Sequence, residues 1–162
     1  MTTPGPIVVA LELSERDRQV IDIATAYARA LQTRLCLIHV VPVAQEEFIG
    51  MPKAVEPEAP GDAVEVGYDY DRAREAERVR EEHSDLQARR AALDRQGFEV
   101  TALQLSGAPG EKIVGEARRL DADLIVAGHR NRTVLGEMVF GSTSRDILAA
   151  APCPVLLVPD AG

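Results

Sequence analysis

Five short apolar runs punctuate the chain, and most of the space between them is filled by stretches whose apolar residues return every three or four positions. The runs are Ile7 to Leu11, Leu35 to Val41, Phe98 to Leu105, Leu124 to Ala127 and Val155 to Val158. Runs this short and this rich in Val, Ile and Leu fit strands buried on both faces. The third, FEVTALQL, alternates more than the others.

Helical patterns separate the runs. Val20, Ile21, Ala24, Ala28 and Leu31 share one face of a first helix. Ser14 is its candidate N-cap, with Asp17 at the capping-box position in place of the usual Glu. From about residue 42 to 67 the chain is rich in Pro, Gly and acids, and it reads as a surface excursion, flexible over about 45–67. A second helix is expected from about Asp69 to Gln96. Val79, Leu86 and Leu93 recur there at intervals of seven, with Ala76 and His83 on the adjoining stripe. So few repeats favour one helix lying on a sheet over a coiled coil, with His83 structural. Gly97 is a natural C-terminal stop. Pro109 suits the first turn of a third helix carrying Ile113, Val114, Ala117 and Leu120. A last helix runs from about Ser142 to Ala150 and is ended by Pro152 and Pro154. Strand and helix alternate throughout. The pattern predicts a single domain over residues 1–162, an α/β fold with an open, doubly wound, five-stranded parallel sheet.

Composition narrows the function classes. Length 162 suits one domain with a sizeable core. Aromatics are only 4%, without Trp, so the core is aliphatic. Asp plus Glu number 26 against 18 Lys plus Arg, a formal charge of -8. Such a chain is repelled on average by nucleic acid and by anionic lipid, and neither is an expected partner. Cys36 and Cys153 lie outside CxxC pairs and metal-ligand spacings, so both read as small apolar residues and no metal site is expected from them. The segment MTTPGP has no basic region, and IVVAL is too short for a signal peptide or a membrane span. A cytoplasmic location is expected.

The chemistry concentrates in Gly128-His-Arg-Asn131-Arg-Thr-Val-Leu-Gly-Glu-Met-Val-Phe-Gly141-Ser142-Thr143-Ser144. A glycine closes the fourth strand, a basic loop follows, and Gly141-Ser142-Thr143-Ser144 opens a helix. Anionic phosphates suit that arrangement: glycine admits close backbone approach, the first N–H groups of a helix lack intrahelical acceptors, and hydroxyls add donors. The same four residues also make a good helix start for purely structural reasons. With strand order 3-2-1-4-5, strands one and four meet where the order reverses, the usual ligand position in such sheets. Ala10, Glu12 and Ser14 then face Ala127, Gly128 and the helix start at Ser142. Arg130 and Arg132 read either as exposed loop charges or as partners for a triphosphate. His129 has no recognisable triad partner, and no catalytic residue is assigned.

With these residues in view, the chain resembles the universal stress protein family, whose Rossmann-like fold is that of the adenine nucleotide alpha hydrolases. The resemblance rests on IVVALELSE, LIHVVP, GAPGEKIVGEARRLDADLIVAGH, the phosphate loop and CPVLLVP, in this order and spacing. The family form of the loop is Gly-x2-Gly-x9-Gly-(Ser/Thr). The resemblance implies ATP as ligand, with Mg2+. It implies that Glu12 and Val40 hold the adenosine part, and that Gly128, Asn131, Gly141, Ser142, Thr143 and Ser144 hold the phosphates. Asn131 replaces the second motif glycine and Glu12 replaces the usual Asp. Asn tolerates the left-handed backbone better than most residues, so the loop path can survive. The implied role is a regulatory stress-response protein, with slow hydrolysis at most. The alternative is a dimeric interaction module of the same fold that binds no nucleotide. Both include a homodimer through the apolar strand 154–159, whose edge would pair with a second copy. The sequence names no protein partner.

Overall fold

The computed structural model describes residues 3–42, 65–129, 132–134 and 137–159, with the backbone alone described for 65–71, 132–134 and 137–139. The elements in chain order are β1 (Ile7–Leu11), α1 (Asp17–Leu31), β2 (Leu35–Val41), α2 (Glu65–Arg95), β3 (Val100–Ser106), α3 (Pro109–Arg119), β4 (Leu124–His129), β5 (Arg132–Val134), β6 (Glu137–Val139), α4 (Ser142–Ala150) and β7 (Val155–Pro159). The main sheet has the order β3-β2-β1-β4-β7. Every pairing in it is parallel. With β7 as the fifth strand of the apolar pattern, this is the expected order 3-2-1-4-5. The antiparallel pair β5-β6 within the basic loop was not foreseen.

Two apolar layers sandwich the sheet. On one face Val20, Ala24 and Ala28 of α1 and Leu86 and Leu93 of α2 pack against Ile7, Val9, Leu37 and Val126. On the other, Ile113, Val114 and Ala117 of α3 and Ile147 of α4 pack against Val8, Cys36, Ile38 and Ile125. Strand alternation sends neighbouring residues to opposite layers, which explains why the central strands read as unbroken apolar runs. The edge strands β3 and β7 are mostly half-buried. Cys36 is buried and Cys153 half-buried, both packed in the second layer.

Several boundaries differ from the sequence expectation. α2 begins at Glu65, so residues 65–67 of the expected excursion are helical, and 45–64 lie outside the described residues. β3 starts at Val100 because Gly97, at φ +89, turns the chain and the Phe98 N–H returns to the Leu93 carbonyl at 3.2 Å. Leu31 was expected on the buried face of α1 but is 46% exposed, at the last position of the helix beyond the buried Val20, Ala24 and Ala28. Ser14 does not cap α1: the helix begins at Asp17, and the Ser14 hydroxyl is buried without a partner among the described residues. Asp17 keeps its half of the capping arrangement, accepting the Ser14 N–H at 3.1 Å. His83 is exposed and bonds the Gln104 side chain at 2.9 Å.

Candidate functional site

The site is built where β1 and β4 lie side by side, with β2 beyond one and β7 beyond the other. Ala10 and Ala127 are direct neighbours across β1 and β4. Ala10, Ala127 and Val40 all face the layer formed with α3 and α4. Val40 is buried near the end of β2. Gly128 sits one residue before the end of β4, and a Cβ there would lie 3.4 Å from a methyl of Val20, so it faces α1 instead. Glu12 is exposed just past β1, where its backbone N–H donates to Asp17 at 3.0 Å.

Past the end of β4 the chain forms the β5-β6 pair and returns to Gly141, the N-cap of α4. Gly141 has φ -62° and ψ 161°, an extended conformation open to any residue. No side chain caps this helix start. Its first N–H groups therefore lack both an intrahelical acceptor and a side-chain cap at Gly141. A Cβ built on Gly141 would meet nothing within 4 Å among the described residues. Ser142 is exposed, Thr143 half-buried and Ser144 buried. Asn131 and Arg130 lie outside the described residues, and the side chain of Arg132 is not described.

Ionic and hydrogen-bonded contacts fix the loop that carries Glu12. Asp17, 2% exposed, accepts N–H bonds from Glu12 and Ser14 and an Arg89 guanidinium bond at 3.0 Å. Arg89 also reaches the Ser14 carbonyl and Asp85. Burial raises the Asp17 carboxyl above its ordinary range, and the N–H bonds and Arg89 oppose that shift. His39 at the end of β2 donates Nδ1–H to the Leu11 carbonyl at 3.0 Å, with Nε2 3.3 Å from Glu82 of α2. The ends of β1 and β2 are thus tied to α2.

A groove of about 610 Å³ opens at the carboxyl ends of β1, β4 and β7 on the α1 side. Ala10, Glu12 and Gly128 line it, along with Asp17, Val20 and His129. Val40, Ala127 and the α4 start do not line it, whereas Ala10 and His129, on the α3 and α4 side of the sheet, border it at the strand ends. The sequence reading missed the state of His129. It is 4% exposed, its ring stacks on Phe140 with centroids 4.7 Å apart, and neither ring nitrogen has a partner among the described residues. Strand alternation was the available signal: position 129 shares a face with Ile125 and Ala127.

Fold and site define an α/β domain of the doubly wound class, with its candidate site at the switch point of the sheet. The chain belongs to the universal stress protein family, whose pattern matches residues 4–159. It is 34% identical over 153 residues to a Thermus aquaticus relative, "universal stress protein in QAH/OAS sulfhydrylase 3'region", covering 94% of this chain and 96% of that one. The universal stress protein of Archaeoglobus fulgidus superposes with a TM-score of 0.67 at 25% identity, over 96% of this chain and 98% of that one. A structure of the Archaeoglobus fulgidus protein in complex with dAMP gives a TM-score of 0.62 at 23% identity, over 97% and 98% of the two chains. Among the described residues no helix is long and apolar enough to cross a membrane.

Proposed function

We propose that this stress protein is regulatory and binds ATP, with Mg2+, at the switch point between β1 and β4. Gly141 is the observation that carries the reading. Its backbone angles do not require glycine, and among the described residues no neighbour crowds the place of its missing side chain. Glycine serves that position as an N-cap, and a phosphate lying against the first turn of α4 is a second use, since no side chain then stands in its way. Ser142, Thr143 and Ser144 would add hydroxyl and N–H donors, and Gly128 would admit close approach at the end of β4. Glu12 and Val40 would hold the adenosine part, alongside Ala10 and Ala127. The metal would take most of its ligands from the triphosphate and water, as Mg2+ commonly does. The dAMP complex of a structural relative supports the same ligand class. The reading includes a homodimer through β7 and a regulatory rather than catalytic output.

The test is the melting temperature with and without ATP and Mg2+. A ligand that binds only the folded chain stabilises it by about 2.7 kcal/mol at a hundredfold excess over Kd. A rise with ATP is expected. No shift at millimolar ATP would remove the reading.

A further inference from the structure

We propose that His129 is a ligand-contacting residue whose ring donates a hydrogen bond to a phosphate oxygen of the bound nucleotide. This rests on the nucleotide reading above and assigns a specific residue to its phosphate end.

His129 is the last residue of β4. Alternation along β4 puts its side chain on the face of Ile125 and Ala127, the face covered by α3 and α4. Its ring stacks on Phe140, tilted by 33°, and Phe140 leads directly into Gly141 at the start of α4. The imidazole therefore lies between the end of the switch-point strand and the helix start. It is 4% exposed, and both Nδ1 and Nε2 lack a partner among the described residues. The third such atom among the described residues, Ser14 Oγ, lies in the loop after β1, the neighbour of β4. Unpartnered buried polar atoms thus flank the place where the order of the sheet reverses.

A neutral imidazole carries one N–H donor and one lone pair. Stacking on Phe140 needs neither, and an aromatic hydrocarbon would satisfy this pocket without leaving polar atoms unpaired. The N–H, the donor of the two, is accounted for when a ligand supplies its missing partner. Beside a helix N-terminus that partner is anionic, and a phosphate oxygen accepts the N–H.

The experiment titrates the purified full chain with ATP plus Mg2+ and with adenosine, comparing the parent and His129→Phe by calorimetry and by imidazole NMR. The chain has three histidines, so the His129 signals are assigned by their loss in the variant. His129→Phe is expected to melt no lower than the parent, since the ligand-free fold makes no use of the nitrogens. Its ATP affinity is expected to fall about ten- to hundredfold, one hydrogen bond to a charged group. Adenosine affinity should stay within about twofold by the same principle, because adenosine lacks the accepting group. The His129 signals of the parent should move with ATP and not with adenosine. His129→Phe binding ATP as tightly as the parent, or weakening adenosine as much as ATP, would overturn the assignment and leave the nucleotide reading standing. If the variant does not fold, His39→Gln and His83→Gln assign the other two imidazoles, and a His129 signal unmoved by ATP rejects the contact. A parent that binds no ATP removes both the reading and this contact.

Discussion

Valine at position 141 replaces a residue whose angles suit valine equally well and whose side-chain direction is open among the described residues. Gly141→Val should therefore fold, losing about 1 kcal/mol or less because valine is a poorer N-cap than glycine. It should bind no ATP, because its methyls occupy the proposed phosphate position. Thermal melting and calorimetry check both halves, and full ATP binding would place the phosphates elsewhere. Asp17 gives a residue-scale prediction about pH. Its folded value lies above the ordinary 3.8 because burial outweighs its N–H bonds and Arg89. Below that ordinary value both folded and unfolded states hold the proton. Through the window from there up to the raised folded value the native state binds it more tightly, so stability from this group falls as pH rises. Above the window the cost of the buried charge is fully present. The stability of the parent minus that of Asp17→Asn, measured by denaturant titration, should thus decrease with rising pH across this window. A flat or rising difference would contradict the raised value. At this scale the Gly141 to Ser144 helix start was readable, because glycine and hydroxyls before a helix are local signals. The unpaired state of His129 was not, since it depends on what surrounds the ring in three dimensions.

α2 shows how little a helix needs to tell about itself when it is anchored at a few points. Most of its described surface is exposed, and Leu86 and Leu93 are its buried apolar contacts with the sheet. Leu86→Ala should cost about 2–5 kcal/mol, the usual range for a fully buried leucine. Leu31→Ala, at the exposed end of α1, should change stability by about 0.5 kcal/mol or less. Urea unfolding of the two variants compares them directly, and equal losses would contradict the packing described. The periodicity of α1 placed both Val20 and Leu31 on one face, but periodicity carries no information on where the sheet ends. The spacing of Val79, Leu86 and Leu93 did reveal the stripe of α2. Its polar anchor, Arg89 on Asp17, joins residues 72 apart in sequence, and no local pattern could pair them. The same holds for His39 and Glu82. The β5-β6 pair was also hidden, because three-residue strands inside a basic loop are too short to show alternation.

For the whole molecule, five apolar runs and the helical patterns between them predicted an open parallel sheet, and the order 3-2-1-4-5 assumed for it is the one found. That order puts β7 at one edge, with Val155, Leu156 and Leu157 half-buried and Pro154 and Pro159 exposed. Leu157→Glu should give monomers by light scattering, because two such edges paired about a twofold axis would bring two new charges together. Leu157 also packs against the layer with α3 and α4. Leu157→Ala, which loses similar packing without adding charge, should remain dimeric. A parent that is already monomeric at micromolar concentration would end the dimer proposal. The order of the sheet also brings Ala10 beside Ala127 and sets the nucleotide reading at that junction. The most direct test of that reading is to denature the purified protein and measure released adenine nucleotide by chromatography, with Gly141→Val prepared in parallel. The parent should release ATP and the variant none. A parent that releases no nucleotide, and takes up none when incubated with millimolar ATP and Mg2+, would contradict the account.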